Sequence, residues 1–192
     1  MEFQTKLFAI KNTILPKKGT ILISEPLSQD LYFRRSVVLL VEHSEEGSMG
    51  FILNKKVNIN LREVVADFPD FDAQFSLGGP VATNTIYFIH TLGELIPGAI
   101  KISTDLYWGG DFEFLKFLIL QNQVQLHQIR FFIGYSGWSG NQLDDEMNAN
   151  SWLVSKTTID FIMGKPTGLW EKAVACTNYK NWTNIPEDPT YN

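Results

Sequence analysis

The chain has 192 residues, of which 44% are hydrophobic and 19% are charged, a composition typical of one globular domain and not of a disordered segment. Its formal charge of -5 and pI near 5.2 give no overall electrostatic attraction to duplex nucleic acid, so direct DNA binding is not expected, while a local basic patch is compatible with these values. The single cysteine excludes an internal disulfide. The sequence has neither a secretory signal before Asn12 nor an apolar run of roughly 20 residues. These features predict a cytoplasmic protein without membrane attachment.

The first half of the chain predicts six strands and one helix. The strands are the apolar runs at residues 20–24, 36–42, 49–54, 74–77, 86–91 and 99–103. The polar segment 43–48 joins the second and third strands into a β-hairpin, and the Gly-Gly-Pro turn at 78–80 joins the fourth and fifth into another. Asn60 is followed three residues later by Glu63, the pattern of a capping box, so a short helix begins there.

The second half predicts three helices among three strands. In chain order, these are a helix at 111–123, a strand at 129–135, a loop at 136–141, a helix at 142–150, strands at 152–155 and 159–163, and a helix at 169–177. The first of these helices has only a narrow polar stripe around Glu113 and Lys116, which predicts burial or a covering partner. Cys176 has apolar neighbours and is predicted to be a buried thiol. Hairpins combined with long connections predict an α+β fold with a mixed sheet.

Two segments have features of catalytic or cation-binding sites, and each also has a structural interpretation. Ser136 lies between a strand and a helix, as in a nucleophile elbow, but its second glycine comes one residue later instead of two, which favours a tight turn. His43 has Glu42, Glu45 and Glu46 beside it, and the four residues are typical either of a cation site or of a solvated hairpin turn.

No other motif assigns a reaction or a cofactor. The acidic run 144–146 is typical of a solvated helix start, where carboxylates interact with the helix dipole, although acid–base chemistry would use the same residues. The three histidines lack metal-ligand spacing, and neither glycine-rich turn matches a phosphate loop. The sequence therefore predicts no metal site and no cofactor.

Several motifs recur in the order and spacing of one known family. They are residues 19–26 with Asp30, Phe33 and 35–37, then His43, Gly47, Gly50 and Asn54, then 78–81 and His90, and finally 134–138 with Gln142, Leu143 and Glu146. From residue 19 to residue 152 the chain resembles the YqgE/AlgH family of bacterial proteins, which are often described as transcriptional regulators. The resemblance implies a single domain whose mixed sheet is curled, partly barrel-like and flanked by helices. It implies no established reaction.

The chain departs from the family pattern in the last motif. Ser136 stands where the family usually has alanine, which weakens the case for a serine nucleophile. Asn141 stands where the family usually has glycine, and asparagine also adopts left-handed backbone conformations.

Seven polar or aromatic residues of these motifs fall at loops or element ends, where binding sites are often built. They are Asp30, Ser36, His43, Asn54, Trp138, Gln142 and Glu146. Our first hypothesis is that they bind a small molecule, in a ligand-binding protein or in an enzyme of unassigned reaction. Capping of tight turns explains the same residues equally well.

The second hypothesis is a regulatory or protein-interaction module, as the family description implies. The sequence has no helix-turn-helix or zinc-finger signature, so binding to another protein is favoured over direct reading of DNA. Assembly into an oligomer is compatible with the same sequence.

Overall fold

The computed structural model describes residues 9–187. The interpretation that no secretory signal precedes Asn12 concerns residues that lie mostly outside this range. In this range the strands are β1 Ile21–Ser24, β2 Val37–Ser44, β3 Gly47–Ile52, β4 Gln74–Leu77, β5 Val81–His90, β6 Ile100–Ser103, β7 Leu106–Trp108, β8 Ile129–Ser139 and β9 Trp152–Ser155. The α-helices are α1 Leu61–Val64, α2 Phe112–Leu120, α3 Gln142–Asn148, α4 Ile159–Met163 and α5 Leu169–Ala175, with 3-10 turns at Gly93–Leu95, Leu126–Gln128 and Lys180–Asn184.

The strands form one mixed sheet, which confirms the predicted α+β class. Its order is β6-β7-β5-β8-β3-β2-β1-β9, with antiparallel neighbours throughout, and β4 adds a parallel pairing to β8. The central strand is β8, which contains the predicted strand at 129–135. Among the described residues, β6 and β9 end the path without pairing to each other. The sheet is therefore open, and the barrel-like curl stays a prediction.

The predicted hairpin around the 78–80 turn is wrong. Residues 130–133 of β8 pair with β4 in parallel and with β5 antiparallel, so β4 and β5 lie on opposite edges of β8. The chain passes over β8 between them, and an added Cβ at Gly79 would lie 2.3 Å from the Tyr135 carbonyl oxygen. Position 79 needs glycine because the two backbones cross this closely.

The predicted loop at 136–141 is wrong for its first four residues, which continue β8. Residues 136–139 pair with β3, and Trp138 lies opposite Ser48. Glycine allows this close pairing, since an added Cβ at Gly47 would lie 2.4 Å from the Trp138 carbonyl oxygen. The predicted hairpin of β2 and β3 is confirmed, although its connection is shorter than the expected 43–48 segment.

Two further predictions near the C-terminal end are corrected. Residues 159–163 form α4 instead of a strand, and the Thr158 hydroxyl caps the helix by accepting a hydrogen bond from Phe161 N (3.3 Å). A short apolar run does not distinguish the two structures by its period. Cys176 is exposed at the C-cap of α5, so the predicted buried thiol is wrong.

Packed clusters cover both faces of the sheet, and the alternation of β8 side chains between these faces shifts by one residue at Gly134. Phe131 packs in the cluster beneath α1 and α2, whereas Phe132 joins the cluster that includes α4 and α5. Gly134 has a φ of 65°, which interrupts the alternation, so Tyr135 packs on the same cluster as Phe132. Trp138 then packs against α3 on the other face. Because of this interruption, the Tyr135 ring lies on the face of Phe132 instead of the face of Phe131.

His90 is fully buried at the end of β5. Its Nδ1 accepts from Leu92 N (3.3 Å), so its Nε2–H donates to the Gly109 carbonyl (3.2 Å). Burial lowers the pKa of His90 from 6.5 to about 4, although the hydrogen bond to Gly109 opposes that shift. The neutral imidazole is the form that the fold accepts.

This lowered pKa predicts a loss of stability in acid. Between pH 6.5 and 4 the unfolded chain binds a proton at this residue and the folded chain does not, so the contribution is fully present above 6.5 and is lost as pH falls toward 4. We expect the loss to reach about 3 kcal/mol in the free energy of unfolding. Urea denaturation across this range should give a flatter pH profile for His90→Gln. Parallel profiles for the two proteins would contradict the assignment.

Candidate functional site

The seven candidate residues separate into two groups instead of converging in one pocket. Asp30, Ser36 and Asn54 surround the turn that precedes β2. His43, Trp138, Gln142 and Glu146 lie around the β2–β3 hairpin and α3. The two groups are joined by Phe33, whose ring lies 6.0 Å from the Trp138 ring and 5.2 Å from the Trp152 ring.

The first group holds the backbone of the turn at residues 30–36. The Asp30 carboxylate accepts hydrogen bonds from Tyr32 N (2.8 Å) and Phe33 N (3.2 Å). Asn54 clamps the end of the turn, since its Nδ2 donates to the Arg35 carbonyl (2.7 Å) and its Oδ1 accepts from Val37 N (2.9 Å). This is the capping role that the sequence left as an alternative.

Ser36 is buried within the same turn. Its backbone N–H donates to the Ser24 hydroxyl (2.9 Å), and its own Oγ is buried without a hydrogen-bond partner among residues 9–187. A ligand cannot reach this hydroxyl without displacement of the turn. Ser36 therefore acts in the structure through its backbone.

The second group is organised around the Glu146 carboxylate. Oε2 accepts hydrogen bonds from the indole N–H groups of Trp138 (2.9 Å) and Trp152 (2.7 Å), and Oε1 accepts from Gln142 Nε2 (3.1 Å). The other end of Gln142 accepts from Ser139 N (3.1 Å). With three donors on one carboxylate, α3 is fixed against the end of β8.

Removal of the Glu146 carboxylate should destabilise the fold. Trp138 and Trp152 are 5% and 2% exposed, so Glu146→Ala leaves two buried indole N–H groups without an acceptor. We expect the free energy of unfolding to fall by about 2–3 kcal/mol in urea denaturation. Asp145→Ala, which removes a neighbouring exposed carboxylate of α3, should cost less than about 1 kcal/mol. Equal losses in the two variants would show that helix charge, and not the indole contacts, explains the effect.

The 43–54 hairpin and the 134–146 segment, which both contain family motifs, meet in space. Ser48 lies opposite both His43 and Trp138 in the pairing of β2, β3 and β8, and the His43 Nδ1 lies 2.7 Å from the Ser48 Oγ. On the other face, Met49 lies opposite both Glu42 and Gly137. Because partners across strands share a face, the hairpin presents two different polar surfaces.

A groove of about 820 Å³ opens where this hairpin meets β8, and we call it the hairpin groove. Its lining includes Lys18, Glu42, Glu46, Met49, Tyr135 and Gly137. The Tyr135 ring lies over Gly137, since an added Cβ there would be 3.0 Å from the Tyr135 Cε2. His43 and Trp138 also contribute to this groove, whereas Asp30, Ser36, Asn54, Gln142 and Glu146 do not.

Ser136 does not form a nucleophile site. It is fully buried, and its hydroxyl donates to the Gly78 carbonyl (3.0 Å), which ties the crossing turn to β8. The cation site considered at His43 is also without support, because residues 9–187 contain no group of three His, Cys, Asp or Glu side chains placed to hold a metal ion.

The sequence analysis did not identify several residues that are important in the structure. Lys18 is far from the hairpin in sequence, and Tyr135 faces the groove because the positive φ of Gly134 interrupts the side-chain alternation of β8. Arg130 is 1% exposed within β8, a position that apolar periodicity assigns to a hydrophobic side chain. An arginine inside an apolar strand was the available signal.

The family model for AlgH-like proteins matches residues 21–181. The chain belongs to the AlgH-like family. The match extends beyond the 19–152 range of the motifs and includes α4 and α5. Within the part of this AlgH-like protein that the structure describes, no helix is long and apolar enough to span a membrane.

Relatives of this AlgH-like protein cover nearly its whole length. It is 47% identical over 186 residues to a UPF0301 protein of Parabacteroides distasonis, with 94% of each chain covered. It is 44% identical over 197 residues to a UPF0301 protein of Bacteroides thetaiotaomicron, with 100% of each covered. Neither name states a reaction, a ligand or a partner.

Two solved structures share the fold. The solution structure of the AlgH protein from Pseudomonas aeruginosa has a TM-score of 0.72 at 25% identity and covers 92% of this chain and 98% of its own. A crystal structure of a Corynebacterium diphtheriae protein has a TM-score of 0.76 at 19% identity and covers 95% and 100%.

Proposed function

We propose that this AlgH-like protein binds a small molecule in the hairpin groove, and that the ligand carries an amino group, a carboxylate and an apolar body. The supporting observation is the mixed lining of a groove of about 820 Å³, within the size range of small-molecule sites. Of the seven sequence candidates, His43 and Trp138 line this groove, and the proposal keeps the sequence-derived ligand site at these two positions alone.

The charges of the groove favour a zwitterion. Glu42 and Glu46 provide two carboxylates for an ammonium group, and Lys18 provides an ammonium for a carboxylate. Met49, Tyr135 and the missing side chain at Gly137 add an apolar surface to the same groove. A ligand of one charge alone would leave part of this lining unpaired.

Three matched probes test this charge requirement. Phenylalanine carries both charges, phenethylamine only the amine, and 3-phenylpropionate only the carboxylate. We expect NMR titrations to shift the Met49 and Gly137 amides, with affinity in the order phenylalanine, phenethylamine, phenylpropionate. No saturable shift at these amides with any probe would contradict the proposal.

Variants separate the two charges. Lys18→Met should lower the affinity for phenylalanine by about fivefold, the scale of an exposed ion pair. The affinity for phenethylamine, which has no carboxylate, should not change. Glu42→Gln should weaken both. Lys156→Met, an exposed lysine outside the groove lining, is the control. A loss of phenylalanine binding in the control equal to that in Lys18→Met would show a nonspecific charge effect.

A second candidate function is binding of another protein, as in a regulatory module. Its support is α2, where Phe117 and Leu120 are 51% and 63% exposed while Leu115, Leu118 and Ile119 are buried. The simplest partner is a second copy of the chain. Light scattering should then give a dimer mass for the natural protein and a monomer mass for Phe117→Ser, and a monomer mass for both would remove this candidate.

We also propose that any regulatory role is cytoplasmic and acts without direct DNA reading. The net charge of -5 repels phosphate backbones. A gel-shift titration at moderate salt should show no sequence-selective complex with duplex DNA at micromolar protein. A selective complex at submicromolar concentration would contradict this expectation.

A further inference from the structure

A second cavity, of about 330 Å³, lies beside the turn that Asn54 clamps, and we call it the arginine cavity. Its lining includes the cations Arg35, Lys55 and Lys56, with Glu171 and Glu187 also present. It shares no lining residue with the hairpin groove. Three cations around one small cavity are notable in a chain whose net charge is -5. From this geometry we infer that the arginine cavity binds an anionic group, a phosphate or a carboxylate.

Arg35 is held in place with part of its hydrogen-bonding capacity unused. Its guanidinium lies over the Trp170 ring, 4.8 Å from the centroid, and its Nη2 donates to the Ile185 carbonyl. Neither Nη1 nor Nε has a partner among the described residues, and Nε is buried. The fixed guanidinium offers its Nη1 to an oxyanion, whereas the buried Nε is closed to a ligand.

The backbone beneath Arg35 is strained. Arg35 has a φ of 47°, in the left-handed region that costs a residue with a side chain about 1 kcal/mol or more. The hydrogen bonds of Asn54 to the Arg35 carbonyl and Val37 N hold this conformation. Three of the sequence candidates, Asp30, Ser36 and Asn54, therefore support the turn that presents Arg35.

Lys55 adds a second cation that is poorly hydrated. It is partly buried, and its Nζ donates to the Arg34 carbonyl (2.7 Å). Burial lowers the pKa of Lys55, and the nearby Glu187 carboxylate raises it in part. A desolvated ammonium gains more from an added anion than an ammonium in water does.

Glu187 places a carboxylate of the chain itself beside the cations of the cavity. This exposed carboxylate interacts electrostatically with Lys55 and lines the cavity. An external anion would share the cations with this internal carboxylate. Removal of the Glu187 charge should therefore strengthen anion binding, a change that loss of structure does not produce.

Inorganic phosphate and acetate, each titrated at constant ionic strength in chloride, test the inference on the full chain. We expect saturable NMR shifts at the Asn54 and Gly168 amides. A stronger response to phosphate assigns the site to phosphate, and a stronger response to acetate assigns it to carboxylates. No saturable response to either anion overturns the inference.

The variants have opposite expected signs. Arg35→Gln should abolish the response, Lys56→Met should weaken it by about fivefold, and Glu187→Gln should strengthen it by about threefold. Lys56 and Glu187 are exposed, so these two variants keep the test valid if Arg35→Gln does not fold. Lys156→Met is the matched control, since it removes an exposed cation outside the cavity. Equal weakening by Lys56→Met and Lys156→Met, or no gain in Glu187→Gln, would overturn the inference.

Discussion

Arg130→Ala is expected to lower the free energy of unfolding by about 4 kcal/mol, among the largest effects of any single change in this chain. The Arg130 side chain is 1% exposed in the middle of β8. Its guanidinium donates to the carbonyls of Ile162 and Leu53 and to the Ser76 hydroxyl (3.4 Å). It thereby ties α4 to the sheet. The alanine variant leaves these acceptors without a donor and opens a cavity.

The charge of Arg130 is retained in the folded protein. Burial lowers its pKa to about 10, so the guanidinium is still protonated at neutral pH. No carboxylate pairs with it among the salt bridges of residues 9–187. Its desolvation therefore opposes its hydrogen bonds, and the net effect depends on which is larger.

A matched pair of variants separates packing from hydrogen bonding at this position. Arg130→Met fills most of the volume and removes the charge, so we expect a loss of about 2 kcal/mol, half that of the alanine variant. Urea denaturation followed by tryptophan fluorescence measures both. A methionine variant as stable as the natural protein would show that desolvation of the cation offsets its hydrogen bonds.

The second large effect is expected for Gly79→Ala, which should destabilise the fold by more than about 3 kcal/mol. The added Cβ would lie 2.3 Å from the carbonyl carbon and oxygen of Tyr135 and 2.4 Å from Ser136 N. These are backbone atoms of the central strand, so they cannot move aside as a flexible side chain would. The φ of 156° at Gly79 adds strain for any residue with a side chain.

Gly109→Ala is the control for this prediction. Gly109 also has a positive φ, 65°, but an added Cβ would meet nothing within 4 Å. The variant should therefore lose only the backbone strain, about 1–2 kcal/mol. Urea midpoints of the two variants give the comparison. Equal losses would mean that strain alone, without the crossing contact, explains the requirement for glycine at position 79.

Local residue patterns determined most of the individual elements. The capping box of Asn60 and Glu63, the β2–β3 hairpin and the start of α2 at Asp111 are all present as the sequence predicts. Each depends on side chains within a few residues of one another, so the pattern is complete in the local sequence. The family motifs also identified the correct fold family.

Local patterns failed where the partner of a segment lies far away in sequence. Residues 136–139 contain glycine and polar side chains, so alone they indicate a loop, and they become a strand because β3 pairs with them. Cys176 has apolar neighbours, but the end of α5 turns it toward solvent. In both cases a contact or an orientation that the local sequence does not encode outweighed local propensity.

The sequence by itself determined the α+β class, the family and the seven residues at element ends, because these follow from periodicity and motif spacing. Only the tertiary structure decided what those residues do. It placed Asp30, Ser36 and Asn54 at one turn, Trp138, Gln142 and Glu146 in a carboxylate–indole cluster, and His43 beside Ser48. Pairing of β2 with β3 brings Asn54 to Arg35, and the packing of α3 brings Glu146 to both indoles. It also assembled the hairpin groove and the arginine cavity from residues such as Lys18 and Glu187, which no local motif includes. The physical reason is that cavities and charge clusters are made by side chains from distant segments, whose proximity depends on the register and crossing of the whole sheet.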